Sequence, residues 1–146
     1  SYVLCLSGAK DVDGMYIDED KKGLSFRNYK KYLLLGGGSH RTGKKGGNYS
    51  ELEEFARAHY PTSTVNYRWA TQDCMTLDGI PYIGKYSKNT TDFYVATGFN
   101  KWGMTSSMVS AMIISDLITQ QENDFSEIFS LYSFDNHIII IKFGLV

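Results

Sequence analysis

Phe93-Tyr94-Val95-Ala96-Thr97-Gly98-Phe99-Asn100-Lys101-Trp102-Gly103-Met104-Thr105 is the stretch on which the fold turns. A β-prone run reads as a buried strand and meets a glycine. Beyond the turn, residues 104–118 predict the best helix of the chain, with an apolar face through Met108, Ala111, Met112 and Leu117. A strand, a tight glycine turn and a helix is the local geometry by which α/β folds hold phosphates and cofactors. Such a helix start turns unpaired N–H groups and the positive end of a dipole toward whatever lies above it. The plain alternative is a strand-to-helix turn with Thr105 or Ser106 as its cap. Residues 98–105 also have the spacing of a phosphate-binding P-loop, but Met104 stands where the charge-bearing Lys must be. Phe99 and Trp102 put rings where such a loop wraps its backbone, which argues against nucleotide hydrolysis.

Upstream, residues 2–7 and 15–18 have strand composition, and residues 24–29 alternate apolar with polar at period two. Residues 31–35 predict another strand, stopping at Gly36-Gly37-Gly38. After a basic, glycine-punctuated loop, Asn48 or Ser50 is placed to cap a helix that runs to about His59, with Leu52, Phe55 and Ala56 at helical spacing. Pro61 ends it. Residues 63–72 read as a strand with Val65, Tyr67 and Trp69 on one face and Asn66 and Arg68 on the other. Asp78-Gly79 and Pro81 make a turn, with Asp78 capping backbone amides, and Tyr82-Ile83-Gly84 resumes a strand. This order predicts an α+β fold, a mostly antiparallel or mixed sheet packed with helices, followed by the strand-turn-helix. Pattern is lost in the tail, residues 131–146, where residues 137–143 form a β-prone run.

With 146 residues, 42% hydrophobic and 21% charged, the chain is globular and about one domain in length. A formal net charge of -1 supplies no field to draw it onto nucleic acid or an anionic membrane. The apolar runs at residues 33–35 and 138–141 are far short of a membrane span, and no signal peptide opens the sequence. Cys5 and Cys74 read as buried or boundary thiols of a reducing compartment, which points to the cytoplasm. Neither His40, His59 nor His137 has metal-ligand spacing to Cys or carboxylates, so no structural zinc is expected. A chain that begins at Ser1 and enters an apolar run at once reads as a piece of a longer protein.

Two side chains stand out for chemistry. His40, delivered between flexible glycines at a strand end, is a candidate proton donor or acceptor, histidine being the residue type that exchanges protons most readily near neutral pH. Its bland alternative is a surface histidine in a basic loop. Glu51, Glu53 and Glu54 fall in the first turns of their helix, where they complement the dipole without a catalytic role.

Leu33-Leu34-Leu35-Gly36-Gly37-Gly38-Ser39-His40, then Trp69 with Thr76-Leu77-Asp78-Gly79-Ile80-Pro81-Tyr82-Ile83-Gly84, then Thr97-Gly98-Phe99 with Trp102-Gly103-Met104-Thr105, resemble in order and spacing the C-terminal half of FAD-dependent oxidoreductases of the D-amino-acid and glycine oxidase type. The likeness spans about residues 1–130 and is nearest the branch in which such a flavoprotein is followed by a Rieske iron–sulfur domain. No Cys-His pairs for that cluster occur in this sequence, nor does the Gly-x-Gly-x-x-Gly turn that holds the FAD pyrophosphate. The resemblance implies that residues 1–90 form a substrate-binding domain and residues 91–130 the last strand and helix of a Rossmann-like FAD domain. It implies oxidation of the C–H bond beside an amine, a hydride equivalent passing to the flavin and an imine left for water to hydrolyse. The implied partners are an amine or amino acid and the remainder of the polypeptide, with its N-terminal FAD-binding half and a Rieske domain. The backbone of Gly98, Trp102, Gly103, Met104 and Thr105 would face the cofactor. His40 would offer the substrate a polar contact or a proton, and Arg41 would pair with a substrate carboxylate. Without its pyrophosphate loop the chain alone is expected to hold no FAD and to be inactive, and the strand at residues 93–97 is expected to seek another chain. The rival from another class is a non-catalytic α+β binding or interaction module whose glycine turns are structural.

Overall fold

The computed structural model describes residues 1–20 and 23–132. They fall into two compact units, the first Ser1–Gln72 and the second from Asp73 onward.

The first unit is built on a five-stranded antiparallel sheet in the order β2-β3-β4-β1-β5. Its strands are β1 (Tyr2–Ser7), β2 (Met15–Ile17), β3 (Ser25–Tyr29), β4 (Tyr32–Gly37) and β5 (Thr64–Ala70). Side chains alternate across a strand, so Leu4 and Leu6 of β1 share a face, and the register sets them opposite Leu35 and Leu33 of β4. Helix α1 (Ser50–His59) lays Leu52 and Ala56 on that face, and these residues with the four leucines form the core. Leu4, Leu6, Leu33, Leu35 and Leu52 are all fully buried, each contributing roughly 1.5–3 kcal/mol by its removal from water. Phe55 packs beside them against Phe26.

Three expectations for this unit are corrected. Strand β4 continues through Gly36 and Gly37, which pair with Val3 and Tyr2. A Cβ at Gly37 would stand 2.6 Å from Leu24 Cδ2 and 3.0 Å from Leu52 Cδ2, so glycine here serves close packing inside the strand and does not end it. Neither Asn48 nor Ser50 caps α1: the N-cap is Tyr49, with no side-chain hydrogen bond, because Asn48 Oδ1 is already taken by the Tyr49 amide at 2.8 Å. Finally, β5 is bulged where β1 passes from Cys5 to Leu6. The displaced Asn66 accepts the Ser7 amide through Oδ1 at 3.1 Å.

The second unit pairs β6 (Tyr82–Lys85) antiparallel with β7 (Tyr94–Thr97) and packs α2 (Gly103–Thr119) against them. Ile83 and Ile113 are its fully buried apolar side chains. Strand β6 belongs with β7 in this unit. The β7 run is neither fully buried nor solitary: Ala96 is exposed, and one edge of the strand is taken by β6. The expected face of α2 is also corrected. Met108 and Met112 are exposed, at 67% and 58%, while Ser110 and Ile113 point inward. The apolar residues of α2 are spread round the helix and leave no single dominant stripe, and the small Ser110 permits close packing, its hydroxyl satisfied by Ser106 O at 2.7 Å. The β-prone run at residues 137–143 lies outside the described residues, as does the tail from residue 133.

Candidate functional site

The candidate residues fall into two groups, one in each unit. In the second unit the turn between β7 and α2 is held by backbone bonds, Trp102 N–H to Phe99 O at 2.8 Å and Ser106 N–H to Trp102 O at 2.9 Å. The N-cap of α2 is Trp102, whose side chain has no acceptor to offer, and no cap hydrogen bond forms. Neither Thr105 nor Ser106 fills the role, since Thr105 Oγ1 donates to Trp102 O at 3.1 Å. Among the described residues the amides of Gly103, Met104 and Thr105 therefore have no hydrogen-bond partner. No acidic side chain lies in the first turn. Gly103, Met104, Thr105 and Trp102 are all exposed, and a Cβ built on Gly103 meets nothing within 4 Å. The result is an open helix terminus with three free donors and undiminished positive dipole.

Gly98 precedes this turn at φ +74, and a Cβ there would collide with the Thr76 methyl group, so the position accepts glycine alone. Asn100, also left-handed at φ +53, donates its own amide to Cys74 O at 3.0 Å. Its Oδ1 accepts the Thr76 amide at 3.2 Å and its Nδ2 donates to Gly79 O at 3.0 Å. Nothing in the spacing of the sequence marked Asn100, although asparagine is favoured where a turn needs positive φ. Nearby, Asp78 Oδ1 accepts the Ile80 amide at 3.0 Å, the capping role expected of it. The Tyr82 hydroxyl reaches Asp78 Oδ2 at 3.5 Å. Burial, and then the Asp78 carboxylate, push the Tyr82 phenol above its ordinary pKa. Cys74 is exposed, which corrects the buried reading, whereas Cys5 is buried and its thiol is pushed up by that burial.

In the first unit His40 is anchored through both ring nitrogens. Nδ1 lies 3.0 Å from Arg41 O, which can only accept, so Nδ1 carries the proton of the neutral ring. Nε2 is left to accept the Tyr2 hydroxyl at 2.9 Å. The two rings stack with centroids 5.7 Å apart, and Tyr49 meets Tyr2 edge-on at 5.0 Å. Tyr2 is a partner that sequence reasoning missed, because it lies 38 residues from His40. Arg41 is exposed and makes no ion pair among the described residues, which leaves its guanidinium free for a carboxylate. Among those residues no three His, Cys, Asp or Glu side chains gather as a metal site. No helix among them is long and apolar enough to cross a membrane.

The family model of the FAD dependent oxidoreductases, DAO, matches residues 1–117. The chain belongs to that family. It is 39% identical over 138 residues to the provisionally named Rieske 2Fe-2S iron–sulfur protein YhfW of Bacillus subtilis (strain 168), covering 89% of this chain and 27% of that protein. The crystal structure of glycine oxidase from Geobacillus kaustophilus superposes with a TM-score of 0.69 over 89% of this chain and 37% of the oxidase, and at 18% identity it shows the shared α+β fold. L-amino acid deaminase from Proteus vulgaris, solved without its specific insertion sequence, gives a TM-score of 0.67 at 25% identity over 91% of this chain and 35% of the deaminase. The chain thus spans between 27% and 37% of the length of these relatives.

The chain's residues fit one side of the family's cofactor. Free amides and the absence of acid at the α2 terminus suit a ring that gains negative charge on reduction. A pyrophosphate-binding glycine turn does not occur among its residues.

Proposed function

We propose that this chain is the C-terminal portion of a longer flavoprotein that oxidises the C–H bond beside the nitrogen of an amine or amino acid. The observation that carries the reading is the uncapped terminus of α2, where Gly103, Met104 and Thr105 hold three amides without partners in a first turn free of acid. FAD, when bound, supplies the acceptor for the hydride equivalent. In this reading the α2 terminus, with Gly98 and Trp102, stabilises charge at the cofactor, residues 91–130 complete the FAD domain, and residues 1–90 bind substrate. Arg41 pairs with a substrate carboxylate. His40 supplies the neighbouring polar contact, its ring held by Tyr2 and by Arg41 O.

Support for the longer protein comes from the shares of the relatives covered and from the missing pyrophosphate turn. A Rieske domain in the same polypeptide is favoured by the likeness to YhfW. Glycine oxidase and L-amino acid deaminase favour an amino acid as substrate. The cytoplasm is the proposed compartment, in keeping with two free thiols. Alone, the chain is proposed to be colourless and inactive. The test is anaerobic mixing of the full-length flavoprotein with a panel of amines and amino acids while flavin absorbance is followed. Bleaching by an amine or amino acid supports the reading, and a flavin that no member of the panel reduces counts against it.

A further inference from the structure

Two of the segments by which the family is recognised, Thr76-Leu77-Asp78-Gly79 and Thr97-Gly98-Phe99, are physically interlocked through a residue that belongs to neither. Asn100 bonds to three backbone groups of the 74–79 loop: Cys74 O through its own amide, Thr76 N–H through Oδ1, and Gly79 O through Nδ2. Thr76 in turn presses its methyl group into the space that Gly98 leaves open. The clasp closes immediately ahead of Trp102, the N-cap of α2.

We propose that Asn100 is a positioning residue for the flavin: by fastening the 98–102 turn to the 74–79 loop it fixes the direction in which the free amides of Gly103, Met104 and Thr105 point. Donors that are fixed in advance need no reorganisation when charge develops opposite them, which is what gives a preorganised site its advantage over mobile donors. This inference rests on the proposed cofactor side of α2. The clasp itself is a property of the second unit alone. Within the turn itself, Trp102 N–H bonds to Phe99 O, and Ser106 N–H and Thr105 Oγ1 both bond to Trp102 O; these bonds do not reach the 74–79 loop.

The test uses the full-length flavoprotein and two variants that keep the backbone as it is. Asn100→Gly tolerates φ +53 and removes both side-chain bonds. Asn100→Asp keeps an acceptor for the Thr76 amide and loses the donor to Gly79 O. Hydrogen exchange at the Thr76 amide, flavin dissociation and the flavin midpoint potential are measured together. Exchange at Thr76 is expected to speed up in Asn100→Gly and much less in Asn100→Asp. Flavin affinity is expected to fall roughly three- to tenfold in Asn100→Gly, on the scale of one or two lost hydrogen bonds, with a lowered potential. Faster exchange with unchanged affinity and potential would make Asn100 a purely structural clasp and overturn the proposal. Unchanged exchange would show that the clasp does not form, and overturn it as well. A wild-type protein that takes up no flavin, yet shows the exchange difference, would overturn the proposed function and this inference with it, and the exchange data would distinguish that outcome.

Discussion

Gly103→Val separates what α2 needs for folding from what it offers a ligand. A Cβ at Gly103 meets nothing within 4 Å and Gly103 is not among the glycines at positive φ, so the chain has room for a branched side chain there. Valine is a better helix former than glycine by a few tenths of a kcal/mol, so the isolated chain should unfold at the same denaturant concentration or slightly higher. The flavin side is different. A valine at the first helical position stands beside the free amides of Gly103, Met104 and Thr105 and keeps a planar ring from coming within hydrogen-bond distance. A charge near a helix terminus gains about 0.3–1 kcal/mol from it. If this gain belongs mainly to the reduced flavin, its loss lowers a two-electron potential by up to roughly 20 mV, with any remainder appearing as weaker binding. Spectroelectrochemical titration of the full-length variant, beside denaturation of the isolated chain, reads both sides. An unchanged potential and flavin content would remove this turn from the cofactor site. A destabilisation above about 1 kcal/mol would refute the open space over Gly103.

Leu35→Ala should cost about 2–5 kcal/mol in denaturant unfolding, since Leu35 is fully buried opposite Leu4, and a cost under 1 kcal/mol would show that the leucine core is not closed. His40→Ala should lower turnover of the full-length enzyme at least tenfold while costing about 1 kcal/mol of stability, with Tyr2→Phe sharing the stability loss but not the full rate loss; equal rates would leave His40 a structural partner of Tyr2. Thr76→Val should leave stability equal or raise it by about 1 kcal/mol, because Thr76 Oγ1 is buried with no partner among the described residues, and a marked loss would reveal a bond that this hydroxyl makes. Tyr82 ionises above its ordinary value of 10.0 in the folded chain, so the unfolded chain loses the proton first as pH rises. Stability from this group is whole below about pH 10 and is lost as pH climbs through the folded value; Tyr82→Phe should flatten that alkaline decline, and an unaltered slope would contradict it.

What the sequence made legible was local. The helical spacing of Leu52 with Ala56 set both on the face of α1 that meets the core, and the strand composition of residues 2–7 and 31–35 marked the two strands that carry the four core leucines, because strand and helix patterns are imposed by the backbone itself. Helix ends were not legible in the same way. Asn48 and Thr105 have capping chemistry, but each hydroxyl or amide oxygen has a nearer partner, the Tyr49 amide for one and Trp102 O for the other. The inward face of α2 was hidden because Met108, Met112 and Ile113 are all apolar, and only the sheet opposite decides which is buried. Distance in sequence hid the rest. Tyr2 lies far from His40, and Asn100 lies 24 residues from Thr76, so neither pairing leaves a spacing signal. The family resemblance located the α2 terminus and left unstated what holds it.

Flavin content, read from the absorbance spectrum of the purified protein, tests most directly whether this chain completes one side of an FAD site. The polypeptide that joins this chain to an upstream strand and glycine-rich pyrophosphate turn should carry stoichiometric FAD, and the chain of 146 residues alone should be colourless. Stoichiometric FAD on the isolated chain, or none on the longer polypeptide, would contradict that assignment.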